Sequence, residues 1–236
     1  MAVMSGGVDA LDLTLDWLRP WLPAECVLAA GPIGEPGPGA YPDEDAAVAR
    51  AVPKRRFEFR AGRACARQAL LDLDGPPAAI GRGPAGEPIW PPGFTGSIAH
   101  TERLAAAVVA RAAAVLAIGL DVEDDAPLEA MLTGVVCRPD ELSAAAAAGP
   151  PELDPAKRLL VCKEAFIKFN YALTGTLAEL LDIRIDLQRP SKASQAFRAT
   201  WSPGLAGALS VGYEGRLAWS CGSMAAVMYV RRTGES

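Results

Sequence analysis

The sequence is poor in histidine: among 236 residues, His100 stands alone. Without a second imidazole a histidine-based metal centre is excluded, and no Ser-His-Asp arrangement finds support elsewhere in the chain. Paired cysteines are also missing. Cys26, Cys65, Cys137, Cys162 and Cys221 are dispersed with no CxxC, which reads as reduced thiols in a cytoplasmic protein and not as a disulfide framework or a zinc site. There is no basic excess either. Lys and Arg number 23 against 28 Asp and Glu, for a net charge of −5, which argues against bulk nucleic-acid binding but leaves a local basic patch open. The longest apolar run, Leu104 to Leu120, is broken by Arg111, so no membrane span is expected. The opening residues, MAVMSGGVDALDLTLDW, carry Asp9, Asp12 and Asp16 in place of the basic start and apolar block of a secretory leader. The glycines of GRGPAGEP match neither a Walker loop nor GxGxxG, because no Gly-Lys-Ser/Thr follows and no strand-to-helix setting surrounds them.

What is present is ample apolar material: half the residues are hydrophobic, enough for one large domain or two small ones. Leu11, Leu15, Leu18 and Leu22 have helical spacing over 9–22, interrupted by Pro20. Gly and Pro crowd residues 31–42 into loop. Pro42-Asp43-Glu44 opens a helix with acids at its positive end, and Pro53 breaks it before a second helix over 54–73. A second Gly- and Pro-rich loop covers 75–93, and long loops inside compact domains are often functional. Strands are expected at 94–99, 104–110 and 113–122, then a helical region over 126–148 whose alanine tract reads as a surface helix. A long helix over 155–173 follows. The segment 181–231 alternates like strands, at 183–187, 205–213, 217–219 and 225–230. The order strands, helix, strands predicts an α+β protein.

Three clusters carry charge in a pattern. In Gly119-Leu-Asp-Val-Glu123, Asp121 and Glu123 are two apart on a strand and therefore share a face. Two adjacent carboxylates repel unless they share a cation, and hard oxygen ligands suit Mg²⁺. A strand end reaching water would carry the same residues. In Lys163-Glu-Ala-Phe-Ile-Lys168, Glu164 and Lys168 are helical neighbours. They are either an exposed ion pair worth roughly 0.3–0.5 kcal/mol or a third carboxylate with a lysine beside it. In the third cluster Arg56, Arg60, Arg63 and Arg67 form one stripe, with Lys54 and Arg55 at its start. Such a stripe is either a solvated helix face or a seat for a polyanion, because guanidinium forks match phosphate oxygens.

Taken together and in order, these segments resemble the 4′-phosphopantetheinyl transferases, in particular the enterobactin-synthetase type also found in actinobacteria. KRRFEFRAGRACARQAL is similar to that family's KRRxEFxxxRxCAxxAL helix and GEPIWPPGFTGSIAH to its GEPxWPxGxxGSxxH signature. IGLDVE matches GxDxE and KEAFIK matches KExxxK, while LAELLDI is a looser match. The resemblance spans about residues 50–190.

The resemblance implies two similar α/β lobes related by a pseudo-twofold, with the active site in the cleft between them: residues 1–120 as the lobe contacting the nucleotide of coenzyme A, residues 121–236 as the lobe bearing the metal carboxylates and the KEAFIK helix. It implies Mg²⁺, with Mn²⁺ an alternative, on Asp121, Glu123 and Glu164. Lys168 is the implied phosphate-binding lysine, with Lys163 next to the same site. Coenzyme A contacts fall on Arg55, Arg63, the loop Arg82-Gly83-Pro84-Ala85, Ala99 and His100. Ala99 stands where the family has Ser or Thr, and Ala85 where it often has Lys, which weakens the expected phosphate grip but leaves the metal site untouched. The implied reaction moves phosphopantetheine from coenzyme A to a serine of an acyl or peptidyl carrier protein, releasing adenosine 3′,5′-bisphosphate, with Glu164 as general base and Glu123 its rival. Such carriers serve fatty-acid, polyketide, nonribosomal-peptide or siderophore synthesis. A cytoplasmic monomer is expected. A Mg²⁺-dependent nucleotide pyrophosphatase and a non-catalytic coenzyme A-binding module are the competing readings.

Overall fold

The computed structural model describes residues 14–34, 41–202 and 211–232. Within them the elements run β1 (Cys26–Pro32), α1 (Pro42–Ala47), α2 (Pro53–Leu71), β2 (Gly81–Arg82), β3 (Pro88–Ile89), β4 (Phe94–His100), β5 (Leu104–Arg111), β6 (Val115–Asp124), α3 (Ala130–Val136), α4 (Pro139–Ala148), α5 (Pro155–Thr174), β7 (Ile183–Leu187), β8 (Ser194–Trp201), β9 (Val211–Ser220) and β10 (Ser223–Arg231). The mixture is α+β, as the element order predicts.

Proline writes most of the helix starts. Pro42, Pro53, Pro139 and Pro155 each occupy the first helical position, where a missing N–H costs nothing and φ is already helical. Pro139 also corrects an expectation. The single helical region over 126–148 is two helices, because Arg138 is driven extended, at φ −78° and ψ 150°, by the ring that follows it. At the other end of α5, Gly175 closes the helix at φ +70°. The helix expected over 9–22 is a 3-10 turn, Asp16–Trp21, with Pro20 inside it; residues 9–13 lie outside the described set. The loop over 75–93 contains the small β2–β3 hairpin. The alternation over 181–231 misses β8, whose Ser194, Gln195 and Thr200 dilute the apolar signal. Residues 205–210 of the expected 205–213 strand are outside the described set, and Val211 begins β9.

The strands form a three-stranded antiparallel sheet ordered β1-β5-β4 and a five-stranded antiparallel sheet ordered β6-β10-β9-β8-β7. The sheets meet where β4 passes β6: Ser97 Oγ accepts from the Leu120 N–H at 3.0 Å and lies 3.4 Å from the Leu120 carbonyl. β5 is buried on both faces. Ala107 and Val109 pack under Ala66, Ala69 and Leu70 of α2, while Ala106, Val108 and Ala110 share a cluster with Ile118, Leu120 and Val122 of β6. The other face of β6 belongs to α5, whose Ala165, Phe166 and Phe169 are fully buried with Ala117, Ala226 and Met228. Burying each such phenylalanine contributes roughly 1.5–3 kcal/mol.

Gly119 lets α5 lie so close. A Cβ there would sit 2.1 Å from the Ala165 carbonyl oxygen and 2.7 Å from the Phe169 backbone nitrogen, neither of which moves without moving the helix. The substitution Gly119→Ala is therefore expected to cost about 1–3 kcal/mol or more through overpacking, read as a lowered midpoint in urea denaturation.

Candidate active site

Between α2 and α5, over β4 and β6, lies a cavity of about 680 Å³. Its wall takes Arg55 and Arg63 from α2, His100 from β4, Asp121 and Glu123 from β6, and Glu164 and Lys168 from α5. Residues more than a hundred positions apart are thereby gathered on one surface, with cations toward α2 and acids toward β6.

At the acidic end, Asp121 is 6% exposed. Its Oδ1 accepts from Lys168 Nζ at 2.7 Å, and Lys168 also donates to the Leu120 carbonyl at 3.0 Å. Its Oδ2 is buried and unpartnered among the described residues. Burial pushes the Asp121 carboxyl up to about 6 against the pull of Lys168, and the charge of Glu164 adds to the rise. Burial, and then the neighbouring Asp121, also raises Glu123, with Lys157 opposing. Lys157 Nζ stands 3.1 Å from Glu123 Oε2 and 3.8 Å from Asp124 Oδ1. Glu164 is half-buried and makes no hydrogen bond or ion pair within the described residues. No three acidic, histidine or cysteine side chains among these residues form a preassembled metal-ligand group; a lysine engages each of the two strand acids instead.

At the basic end, Arg55 Nη1 lies 2.6 Å from His100 Nε2 and donates to Glu58 Oε2 at 3.2 Å. His100 Nδ1 is 3.3 Å from the Thr101 carbonyl. Burial holds the imidazole below its ordinary range, Glu58 opposing. A neutral ring accepting from Arg55 and donating to Thr101 satisfies both nitrogens. Arg63 is 5% exposed and lies over the Phe59 ring, 4.0 Å from its centroid. It donates to the carbonyls of Ile80 at 3.2 Å and Gly81 at 3.0 Å, and burial lowers its pKa to about 10, so it remains charged. Arg63 thus faces the cavity and also fastens the segment leading into the β2–β3 hairpin. Glu44 fastens the same segment by accepting from the Ile80 N–H at 2.9 Å.

The arginine stripe is not one cradle. Arg67 pairs with Glu44 and Arg60 with Asp45 of α1, so the acids that open α1 neutralise half of the stripe. Of the loop before the hairpin's second strand, Ala85 borders the cavity, as do Gly86 and Glu87; Arg82, at the end of β2, and Gly83 and Pro84 after it lie outside its wall. Ala99 borders it too. Lys163 does not. It is fully buried and donates to Glu141 Oε2 at 2.7 Å, the Val136 carbonyl at 2.8 Å and the Leu180 carbonyl at 3.0 Å. It ties α3, α4 and the turn before β7 to the far side of α5, which corrects the expectation that it neighbours the site.

The motif reading passes over Lys157, Glu58 and Glu87. Lys157 was legible in principle, because it precedes Glu164 by seven and Lys168 by eleven residues on α5, spacings that return to one helix face. Glu87 accepts from Tyr171 Oη of α5 at 3.2 Å across the cavity; nothing local in the sequence announces that contact.

Comparison with known proteins supplies the class. Residues 43–110 match the 4′-phosphopantetheinyl transferase N-terminal domain. The chain is 36% identical to the 4′-phosphopantetheinyl transferase Svp of Streptomyces mobaraensis over 77% of its own length and 74% of that protein's. It is 42% identical to Npt of Nocardia iowensis over 58% of the chain and 61% of the relative, and 40% identical to PptT of Mycobacterium tuberculosis over 66% and 69%. Both relatives are also named 4′-phosphopantetheinyl transferases. The α+β fold, the charged cavity and these likenesses define a transferase enzyme. The chain belongs to the 4′-phosphopantetheinyl transferase family.

The Asp121 environment makes a prediction. Its folded pKa of about 6 exceeds the unfolded value of 3.8, so the carboxyl costs nothing below pH about 4 and destabilises the fold increasingly as pH rises through about 6. In metal-free buffer, Asp121→Asn is expected to gain on the wild type by up to about 3 kcal/mol between pH 4 and pH 7, measured by urea denaturation across that range.

Proposed function

We propose that this chain transfers 4′-phosphopantetheine from coenzyme A to a serine of an acyl or peptidyl carrier protein, with a divalent cation held by Asp121, Glu123 and Glu164. The observation that carries the reading is the unpartnered, buried Asp121 Oδ2, which shares a cavity wall with two further carboxylates while guanidinium and imidazole groups line the opposite end. The donors are all carboxylate oxygens, which fits Mg²⁺ or Mn²⁺. When bound, such an ion neutralises charge on the pyrophosphate oxygens.

The residues divide the remaining work. Arg55 and His100 receive the 3′-phosphate end of the donor, where Nε2 and the guanidinium are within 2.6 Å of each other. Arg63 adds charge there and holds the hairpin segment in place. Lys168 stabilises the transferring phosphoryl group. The carrier serine oxygen forms its bond to the β-phosphorus as the bond to the bridging oxygen breaks, and adenosine 3′,5′-bisphosphate leaves. Glu164, which makes no hydrogen bond within the described residues, takes the serine proton; Glu123 is the rival base. Ala99 and Ala85 contribute no hydroxyl or ammonium, so the phosphate grip falls on Arg55, Arg63 and His100. Five free thiols suit a reducing, cytoplasmic setting, and no helix of the described residues is long and apolar enough to cross a membrane.

The carrier needs a surface at the cavity mouth. Met131, Leu132 and Val135 of α3 are 78%, 42% and 57% exposed, and Leu177 and Leu181 of the following turn 58% and 40%. α3 touches that turn, and Leu177 itself borders the cavity. Exposed apolar patches of this kind mark protein contacts. Lys163 holds both pieces of the platform to α5.

Two outcomes test the reading. Glu164→Gln is expected to reduce transfer by at least a hundredfold with the fold intact, seen by weighing apo-carrier protein after incubation with coenzyme A and Mg²⁺; an unmodified carrier with consumed coenzyme A in the wild type would indicate hydrolysis instead. Met131→Asp is expected to raise the KM for carrier about tenfold while leaving the KM for coenzyme A unchanged.

A further inference from the structure

Three charged side chains stand in a row along one face of α5: Lys157, Glu164 and Lys168. Opposite them, β6 presents Asp121 and Glu123. The two lysines reach inward from either end of the row, Lys168 to Asp121 Oδ1 at 2.7 Å and Lys157 to Glu123 Oε2 at 3.1 Å. Lys157 is only 8% exposed, so its ammonium is not free to drift into solvent, and a partly desolvated charge needs an acceptor. It has two within reach. Besides Glu123, Asp124 Oδ1 lies 3.8 Å away, and Asp124 is the more exposed of the pair, with its side chain 40% accessible against 31% for Glu123.

We propose that Lys157 is a resident counter-charge that holds Glu123 out of a three-carboxylate group and surrenders it to a divalent cation by shifting to Asp124. This rests on the metal reading given above and adds to it a positioning residue outside the ligand set. Asp121 and Glu123 are each engaged by an ammonium, while Glu164 makes no hydrogen bond or ion pair within the described residues. An entering divalent ion must compete with Lys157 for Glu123. Asp124 lowers the cost of that exchange by receiving the displaced ammonium, so the buried lysine keeps a partner in both arrangements. The pair Lys157–Asp124 therefore sets how tightly the acids bind a cation before substrate arrives.

The test uses Mn²⁺ alone, titrated into the full-length, substrate-free protein and followed by the loss of the free-ion electron paramagnetic resonance signal. Removing the competitor with Lys157→Met is expected to tighten Mn²⁺ binding roughly five- to tenfold, the equivalent of one surface-to-half-buried ion pair. Removing the receiving seat with Asp124→Asn is expected to weaken it two- to fivefold. An unchanged or weaker affinity in Lys157→Met overturns the inference. Should that variant fail to fold by circular dichroism, Asp124→Asn decides alone, and an affinity equal to the wild type overturns it. Wild-type protein that binds Mn²⁺ no better than Asp121→Asn would overturn the metal reading along with this one, whereas Asp121-dependent binding indifferent to Lys157 and Asp124 would overturn this one only.

Discussion

The approach of α5 to the bare backbone at Gly119 is the constraint on which the site depends. A helix resting on a strand normally stands off by the thickness of its side chains. Here one turn of α5, Ala165 to Phe169, settles into the space that a Cβ would fill. Glu164 immediately precedes that turn and Lys168 lies within it, and Asp121 lies two residues beyond Gly119 on the same face. The contact distance between helix and strand is thus also the distance between opposing charges. At this separation a lysine ammonium spans from helix to strand carboxylate at 2.7 Å and shares the load with the Leu120 carbonyl.

Once that distance is set, the two ends of the cavity follow different rules. The acidic end is crowded, and burial makes Asp121 and Glu123 resist ionisation and gain from any cation within reach. The basic end is organised by hydrogen bonds to fixed groups. Arg55, His100 and Glu58 orient one another, while Arg63, Glu44 and Arg67 knit α1, α2 and the approach to the β2–β3 hairpin into one buried network.

Much of this was readable from residue types. The acid-Val-acid pattern put Asp121 and Glu123 on one face, and their partners across the ladder, Ala226 and Met224, belong to the core under α5. The helices over 53–71 and 155–174 were visible in their spacing and their leading prolines. Other features were not readable, because they are tertiary. Local charge density makes the α2 stripe look like a single cradle; only the fold reveals that α1 swings back to neutralise Arg60 and Arg67. Lys163 and Glu164 are adjacent in the chain, yet a helical step of about 100° sends one into the core and the other into the cavity. Position in a motif does not say which side of a helix meets which neighbour. β8 is hidden in the sequence because its buried residues include Ser194 and Gln195, polar groups satisfied by backbone partners such as the Ala148 carbonyl at 2.8 Å and not by an apolar environment.

The seam at Ser97 has a mechanical meaning. Within the smaller sheet, β4 is held to β5 by a ladder of seven residue pairs; across to β6 the side-chain hydrogen bonding found among the described residues is one hydroxyl that clasps a single residue's amide and carbonyl. The floor of the cleft is therefore a seam where side-chain packing takes over from the strand ladder. Beneath that line Ala106, Val108 and Ala110 of β5 share a buried cluster with Ile118, Leu120 and Val122 of β6, so the apolar core, and not the hydroxyl, carries the load that keeps the guanidinium wall and the carboxylate wall apart.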